Sequence, residues 1–174
     1  MQINKTDWVK CNGIITPSVE FNLVFLMVHM YQHFLREDIG LRQFVDYYFT
    51  LKVSTESQRT SSFDSIGSLG MRNFAAAVMD IMKVALWLGD KYLLCQPNTE
   101  FGAFLMDEIM LGGNFGHYDE RNRIVFSGNT NGVHRVLIGL KRNMRFFRFG
   151  ISEILCSPLW RLWHWWWRKR HGLV

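Results

Sequence analysis

The sequence predicts a single all-α domain of about seven helices, and three observations lead to that prediction. Apolar side chains recur at helical spacing over most of the chain, helix-starting residues precede these segments, and glycines follow them. The 174 residues are 48% hydrophobic and 20% charged, which suits one well-filled core. We expect an irregular lead over 1–15, a helical domain over 16–150, and a Trp- and Arg-rich helix over 151–174 that is packed on the domain or appended to it.

The first predicted helix begins at Thr16-Pro17 and runs to about Glu37. Thr16 suits the N-cap, and Pro17 suits the first helical position because its missing N–H needs no partner there. Apolar residues cover nearly the whole circumference of this helix, which indicates a buried, central position. Asp38 and Gly40 end it, and the next helix begins directly afterwards.

The middle of the chain predicts a polar stretch and then two helices. Residues 52–65 are rich in serine and threonine and predict either a loop or an exposed helix start. Residues 71–88 have helical periodicity, and Gly89 suits the position that ends such a helix. Asn98 or Thr99 starts a further helix, which ends at the next pair of glycines.

The last third predicts a long glycine-rich loop near 112–130, followed by two helices. Asn131 suits the cap of the first of these helices, and Gly150 suits its end. Ser157 followed by Pro158 predicts the start of the last one. No sheet is predicted.

Cysteine usage and hydropathy predict a cytoplasmic protein. Cys11, Cys95 and Cys156 are far apart and odd in number, which is typical of reduced thiols. No signal-peptide pattern opens the chain, and no apolar run reaches the length that spans a bilayer.

His29 and His33 lie one helical turn apart in otherwise apolar text, and their spacing has two interpretations. Two histidines at i and i+4 can bind zinc on one helical face. The metalloprotease version of that motif needs a glutamate directly after the first histidine, where this chain has Met30. Because no further ligand stands at a recognisable spacing, we predict hydrogen-bonded core histidines and no metal site.

Arg42 and Asp46 are also four residues apart and are predicted to pair along the second helix. If the first two helices form a hairpin, this pair faces the histidines and completes a polar seam. The seam is either a structural network or an anion or nucleotide site with Arg42 as the phosphate donor.

Basic residues are concentrated at the end of the chain. Residues 141–174 contain eight Lys or Arg against one acidic residue, Glu153, although the net charge of the whole chain is only +5. A candidate interaction patch in this segment comprises Trp160, Trp163, Trp167, Arg168, Lys169 and Arg170.

Tryptophan beside basic residues indicates three kinds of partner for this patch. They are the protein core or a second chain, a membrane surface, and nucleic acid, with protein packing favoured and nucleic acid least expected. Trp165 and Trp166 lie off the face that carries the other tryptophans, so the helix has no clean polar side.

Three segments together resemble a large, little-characterised group of bacterial nucleotidyltransferases. They read HMYQHFLREDIGLRQFVDYYF, LGMRNFAAAVMDIMKVALWLG and EIMLGGNFGHYDERN, and the C-terminal PLWRLWHWWWR is similar in style. The resemblance spans residues 16–170, and its most specific parts are residues 40–43 and 112–117.

In that family, a nucleotidyltransferase fold with a Gly-Asp-x-Asp pair of carboxylates precedes these segments, and this chain has no such pair. The resemblance therefore implies an accessory, substrate-side helical portion of a nucleotidyltransferase, without a catalytic residue of its own. Mg²⁺ and a nucleoside triphosphate would bind only together with a catalytic half on another chain, which is the partner that the resemblance implies.

The resemblance also implies a ligand site at the border of the family's cleft. Its residues are His29, His33, Arg42, Asp46, Gly112, Gly113, Asn114, Gly116 and His117. The glycines of the turn permit close backbone approach to a ligand. The alternative for the turn is a glycine-rich helix end with Phe115 and His117 packed beneath it.

The alternative function is a non-catalytic helical interaction module that forms homodimers or docks on anionic membrane through its aromatic-basic tail. The arrangement in space separates the two functions. Convergence of His29, His33, Arg42 and His117 on one open pocket favours the ligand site, whereas an exposed tryptophan patch favours docking.

Overall fold

The computed structural model describes residues 8–11, 14–36, 39–112 and 144–172. These ranges contain six α-helices, one short 3-10 helix and one two-stranded sheet, which confirms the predicted all-α class. In chain order the elements are β1 (Trp8–Cys11), β2 (Ile14–Pro17), α1 (Val19–Arg36), α2 (Leu41–Val53), α3 (Glu56–Ser68), α4 (Arg72–Ala85), the 3-10 helix Asp90–Tyr92, α5 (Thr99–Gly112) and α6 (Ile151–Arg170). All but the start of the predicted glycine-rich loop lies outside the described residues, as does most of the helix predicted from Asn131.

An antiparallel hairpin precedes α1 and corrects the irregular lead predicted over 1–15. β1 and β2 pair with Trp8 opposite Pro17 and Cys11 opposite Ile14. The sequence does contain a signal for it, because Asn-Gly between two short apolar runs is the strongest indication of a two-residue hairpin turn. Asn12-Gly13 stands between these two strands in the sequence.

The start of α1 lies at Ser18-Val19 and not at Thr16-Pro17. Thr16 belongs to β2, and its Oγ1 donates a hydrogen bond to the carbonyl of Val9 across the hairpin, at 3.3 Å. Ser18 Oγ accepts instead from the N–H of Phe21, at 3.1 Å, which is the N-cap interaction.

Side-chain caps start α2 and α3. Gln43 Oε1 accepts from the N–H of Gly40 at 3.0 Å, so the predicted break at Gly40 and restart at the next residue are confirmed. Thr55 and Gln58 form a reciprocal capping box, at 3.3 and 3.0 Å. Of the two alternatives for 52–65, the exposed helix start is therefore the one formed.

The C-terminus of α3 is a Schellman motif. Gly70 has a φ of 75°, its N–H donates to Gly67 O at 3.0 Å, and the N–H of Met71 donates to Ile66 O at 3.2 Å. A glycine is needed here because L side chains rarely adopt this backbone conformation.

The helix predicted over 71–88 ends three residues earlier than expected, at Ala85. Gly89 does not close it; the residue with positive φ after the helix is Trp87, at 55°. Trp87 is 88% exposed, so its ring gains nothing from packing that could offset the strained backbone.

Replacing Trp87 with glycine is expected to stabilise the domain by up to about 1 kcal/mol. The left-handed conformation costs an L residue about 1–2 kcal/mol, and the larger conformational entropy of unfolded glycine offsets about half of that gain. The free energy of unfolding from urea titration followed by circular dichroism measures the effect. Trp87→Ala is the control, since it removes the ring and keeps the strain; a glycine variant less stable than the alanine variant would contradict the assignment.

Asn98 caps the start of α5, which confirms the first of the two predicted caps, Asn98 and Thr99. Its Oδ1 accepts from the N–H of Phe101 at 3.0 Å. Its own N–H donates to the carbonyl of Ala76 in α4 at 3.1 Å. The cap therefore also fixes α5 against α4, and these two helices form the most extensive helix contact among the described elements.

Two phenylalanines of the segment 144–149 pack into the core between α1, α4 and α5. Phe146 and Phe149 are each 1% exposed. Four other phenylalanines surround Phe149, with ring centroids 5.4 to 6.0 Å away: Phe34, Phe74, Phe101 and Phe104. This segment is thus part of the domain, although it follows α5 by more than thirty residues.

The last helix, α6, begins at Ile151, and the predicted start at Ser157-Pro158 is wrong. Gly150 is its N-cap residue, and Pro158 lies inside the helix. Gly150 also joins α6 to the core, because a Cβ at this position would lie 1.7 Å from the buried Tyr31 Oη.

Candidate functional site

His29 and His33 lie on a stripe of rings along α1. Phe21, Phe25, His29 and His33 follow each other at four-residue intervals, with ring centroids 5.8, 5.9 and 4.4 Å apart. His29 is exposed and His33 is half-buried, so His29 is not the core histidine that the sequence predicts. Within the described ranges, no group of three His, Cys, Asp or Glu side chains is arranged to hold a metal ion.

The predicted ion pair between Arg42 and Asp46 is not formed. Both side chains are exposed on α2, and the salt bridges of the described ranges join other residues. A basic residue four positions before an acidic one is the less favourable order for such a pair along a helix. Arg42 and Asp46 therefore do not complete a buried polar seam.

The turn predicted to contact a ligand lies almost wholly outside the described residues. Gly113, Asn114, Gly116 and His117 are not described, and only the backbone of Gly112 is, as the last residue of α5. Residues 40–43 are the other specific part of the resemblance, and there Gln43 caps the start of α2.

Sequence reasoning missed a buried arginine, Arg59, which is 8% exposed on α3. Its guanidinium donates to Ser54 O at 2.7 Å, to Ser54 Oγ at 3.1 Å and to Lys91 O at 2.7 Å. These bonds join the end of α2 to the 3-10 helix, and they satisfy the buried charge with backbone carbonyls. Arg59 therefore has a structural role.

Tyr47 is fully buried and lies close enough to the half-buried Cys95 for the two side chains to interact electrostatically. Burial raises the pKa of the Cys95 thiol to about 11, and it raises the pKa of Tyr47 as well. The Tyr47 hydroxyl has no hydrogen-bond partner within the part of the chain that the structure describes. A thiol with so high a pKa is protonated at neutral pH and is a poor nucleophile.

Two open clefts mark the domain surface, and neither contains the predicted site residues. One, of about 760 Å³, is lined by the polar face of α3 from Glu56 to Ser68. The other, of about 790 Å³, lies where residues 147–150 meet the starts of α4 and α5. Its charged side chains, Glu100 and Arg148, already pair with each other at 2.5 Å.

The most unusual surface of the described residues is the C-terminal half of α6. From Leu159 to Gly172, every residue with a described side chain is exposed except the half-exposed His164. Five tryptophans project from it, with exposed fractions of 58, 55, 53, 51 and 37%: Trp160, Trp163, Trp165, Trp166 and Trp167. No described residue of α6 belongs to the buried core cluster, so the protein-core alternative for this patch is not what the structure forms.

Tryptophan and histidine rings alternate along one side of α6. The centroids of Trp160 and His164 are 4.8 Å apart, those of His164 and Trp167 are 6.3 Å apart, and those of Trp167 and His171 are 4.4 Å apart. His171 Nδ1 also lies 2.8 Å from the carbonyl of Trp167 at the end of the helix. The ring stack holds this side of the helix in one arrangement.

Basic side chains lie over the two tryptophans that sequence reasoning left out of the patch. Lys169 Nζ is 5.2 Å from the centroid of Trp165, and the Arg170 guanidinium carbon is 5.3 Å from that of Trp166. Both pairs are four residues apart, which is the sequence signal that could have found them. Below, "the anchor" denotes residues 159–171 of α6, with the tryptophans and basic residues on all sides of the helix.

The described helices include none that is both long enough and apolar enough to cross a membrane. No protein-family model matches the chain, and neither a curated protein nor a solved structure matches it significantly. The resemblance to nucleotidyltransferases therefore stays a prediction.

Proposed function

We propose that this chain is a helical interaction module that docks on the interface of anionic membranes through the anchor. The observation that carries the proposal is the exposure of five tryptophans on a helix that also holds Arg168, Lys169 and Arg170. The convergence that would favour a ligand site is not seen among the described residues, because Arg42 and Asp46 are exposed on α2 and line neither of the two clefts.

The exposed rings need a partner that accepts both their apolar area and their polar edge. A large contiguous apolar patch on a soluble domain is unusual and marks an interaction site. The interface of a bilayer suits tryptophan, because the indole ring lies among the upper acyl chains while its N–H stays near the headgroups. A helix lying in the membrane plane satisfies these requirements without spanning the bilayer.

The basic residues give the preference for anionic lipid. The segment 141–174 has eight basic residues and one acidic residue, whereas the rest of the chain has a slight acidic excess. Each Lys or Arg close to an anionic surface contributes about 1 kcal/mol. The end of the chain is therefore the part that an anionic surface attracts most strongly. The anionic cytoplasmic leaflet is the partner that matches the location predicted from the thiols.

Exchanging Arg168, Lys169 and Arg170 together for glutamine is expected to weaken binding to vesicles of phosphatidylcholine and phosphatidylserine by roughly 100-fold. Three basic residues at about 1 kcal/mol each give that factor. Co-sedimentation of the full chain with vesicles measures it, and binding of the unaltered chain should fall as salt screens the interaction.

Tryptophan substitutions test the apolar contribution of the anchor to vesicle binding, and Trp87 provides a matched control. Trp163→Ala and Trp166→Ala should each weaken vesicle binding, whereas Trp87→Ala should leave it unchanged, although Trp87 is the most exposed tryptophan described. Circular dichroism checks that each variant is folded. Equal binding to neutral and anionic vesicles, or equal losses from Trp87→Ala and Trp163→Ala, would rule out docking through the anchor.

A further inference from the structure

Helix α2 presents a row of apolar side chains to solvent. Leu41, Val45, Phe49 and Val53 are 43, 38, 63 and 70% exposed. Because they are four residues apart, they form one continuous ridge along the helix, opposite its buried residues Phe44, Tyr47 and Leu51. A helix on the surface of a domain ordinarily carries polar residues in this position.

The ridge is flanked by charges of both signs. Arg42 and Asp46 lie along one edge, and both are exposed, with no salt bridge to any residue of the described ranges. Lys52 lies at the other edge, where its ammonium is 4.4 Å from the Tyr92 ring centroid and is thus already engaged. Two charged side chains of α2 therefore form no salt bridge within the described ranges: the positive Arg42 and the negative Asp46, on the same edge of the helix.

We propose that α2 packs against α2 of a second copy of this chain, antiparallel and about a two-fold axis. Such an axis is perpendicular to both helices. It therefore brings the same edge of each helix together, while the two helices run in opposite directions. Arg42 of one copy then faces Asp46 of the other, and the pairing occurs twice. This pairing centres the contact near residue 44, so Leu41, Val45 and Phe49 of the two ridges contribute the contact area. Ridges of residues four apart interdigitate in the commonest class of helix packing.

The charge pattern favours a second copy over a lipid surface. Asp46 lies beside the centre of the ridge and is repelled by anionic headgroups, whereas a second copy offers it Arg42. The anchor differs on this point, because its described residues carry basic charges only. The dimer does not depend on membrane docking, although two anchors on one particle would bind a vesicle more tightly than one.

One helix face is smaller than the ~800 Å² that each partner contributes to a standard interface, so we expect a micromolar dimer. Sedimentation equilibrium of the full chain over a range of concentrations measures its dissociation constant. Phe49→Glu should raise that constant roughly 10-fold or more, because a buried carboxylate without a partner is costly. Val84→Glu is the matched control, since Val84 is 66% exposed on α4 and lies outside the ridge.

Charge variants separate pairing through Arg42 and Asp46 from general apolar association. Arg42→Asp and Asp46→Arg should each weaken the dimer, and the double variant should restore it, because the exchanged charges still meet under two-fold symmetry. A chain that stays monomeric at every concentration would overturn the proposal, as would a double variant no better than either single one. If Phe49→Glu lowers vesicle binding and leaves self-association unchanged, the proposal is likewise overturned. The ridge would then be a lipid-binding surface.

Discussion

Phe149→Ala is expected to lower the free energy of unfolding by about 3–5 kcal/mol, which is the usual cost of removing a fully buried phenylalanine ring. Phe149 is 1% exposed, and its ring contacts four others that belong to α1, α4 and α5. Since helices of three parts of the chain meet at this ring, the cavity left by alanine cannot close without moving one of them. Denaturant unfolding followed by circular dichroism measures the loss.

Phe147→Ala is the matched control, because this ring is two residues away in the same segment and is 47% exposed. Its loss should cost less than about 1 kcal/mol, as is usual for a surface substitution. Circular dichroism is the better probe than tryptophan fluorescence, since five of the tryptophans lie on the anchor, away from the core. Similar unfolding midpoints for the two variants would show that residues 144–149 do not belong to the core.

This segment also determines how firmly the anchor is held. Gly150 directly precedes α6, and its Cα lies against the buried Tyr31 ring, where no side chain would fit. Asn73 Nδ2 donates to the carbonyl of Arg148 at 2.8 Å, and Arg145 Nη1 lies 3.6 Å from Oε1 of the buried Glu108 in α5. The start of α6 is thus attached to a packed part of the domain, so under the proposed docking the anchor would hold the domain at a defined point.

Much of the fold could be predicted because local chemistry determines it. The restart at Gly40, the Asn98 cap and the helical periodicity of residues 71–88 depend on neighbours within one or two turns. The structure confirms the first two, and it confirms the third as far as Ala85. The hairpin was missed although Asn12-Gly13 signals it, because Thr16-Pro17 is an equally good local signal for a helix start. These two local signals predict different structures for the same residues. Pairing between the two strands favours the hairpin.

The candidate site could be predicted only in part, because exposure is a property of the whole fold. The sequence indicated tryptophan and basic residues at the end of the chain, but core packing and surface docking require the same residue types. The start predicted at Ser157-Pro158 failed for a related reason: Gly150 is positioned by Tyr31, more than a hundred residues earlier. Likewise, nothing local to Arg42 shows whether Asp46 pairs with it or faces outward.

Gly102→Ala is expected to destabilise the domain by about 1–3 kcal/mol, although this substitution usually stabilises a helix. Alanine in a helix interior is normally better than glycine by about 1 kcal/mol. Gly102 lies in α5, however, where a Cβ would be 2.1 Å from Asp80 Oδ2 and 2.5 Å from Asp80 Cβ. The Asp80 Cβ is fixed to the backbone of α4, so α4 and α5 must separate, and the clash outweighs the gain in helix propensity.

Gly67→Ala is the matched control and is expected to have the opposite sign. Gly67 lies in α3, where a Cβ would meet the guanidinium of Arg72, with Nε at 2.4 Å. This group is the far end of a flexible, exposed side chain, and it can move at the cost of its contact with the Phe63 ring, whose centroid is 5.3 Å away. Helix propensity then decides the outcome, and the variant should be as stable as the unaltered chain or up to about 1 kcal/mol more stable. Urea unfolding of both variants side by side measures the difference, and a Gly102→Ala variant as stable as Gly67→Ala would show that α4 and α5 do not approach closely at Asp80.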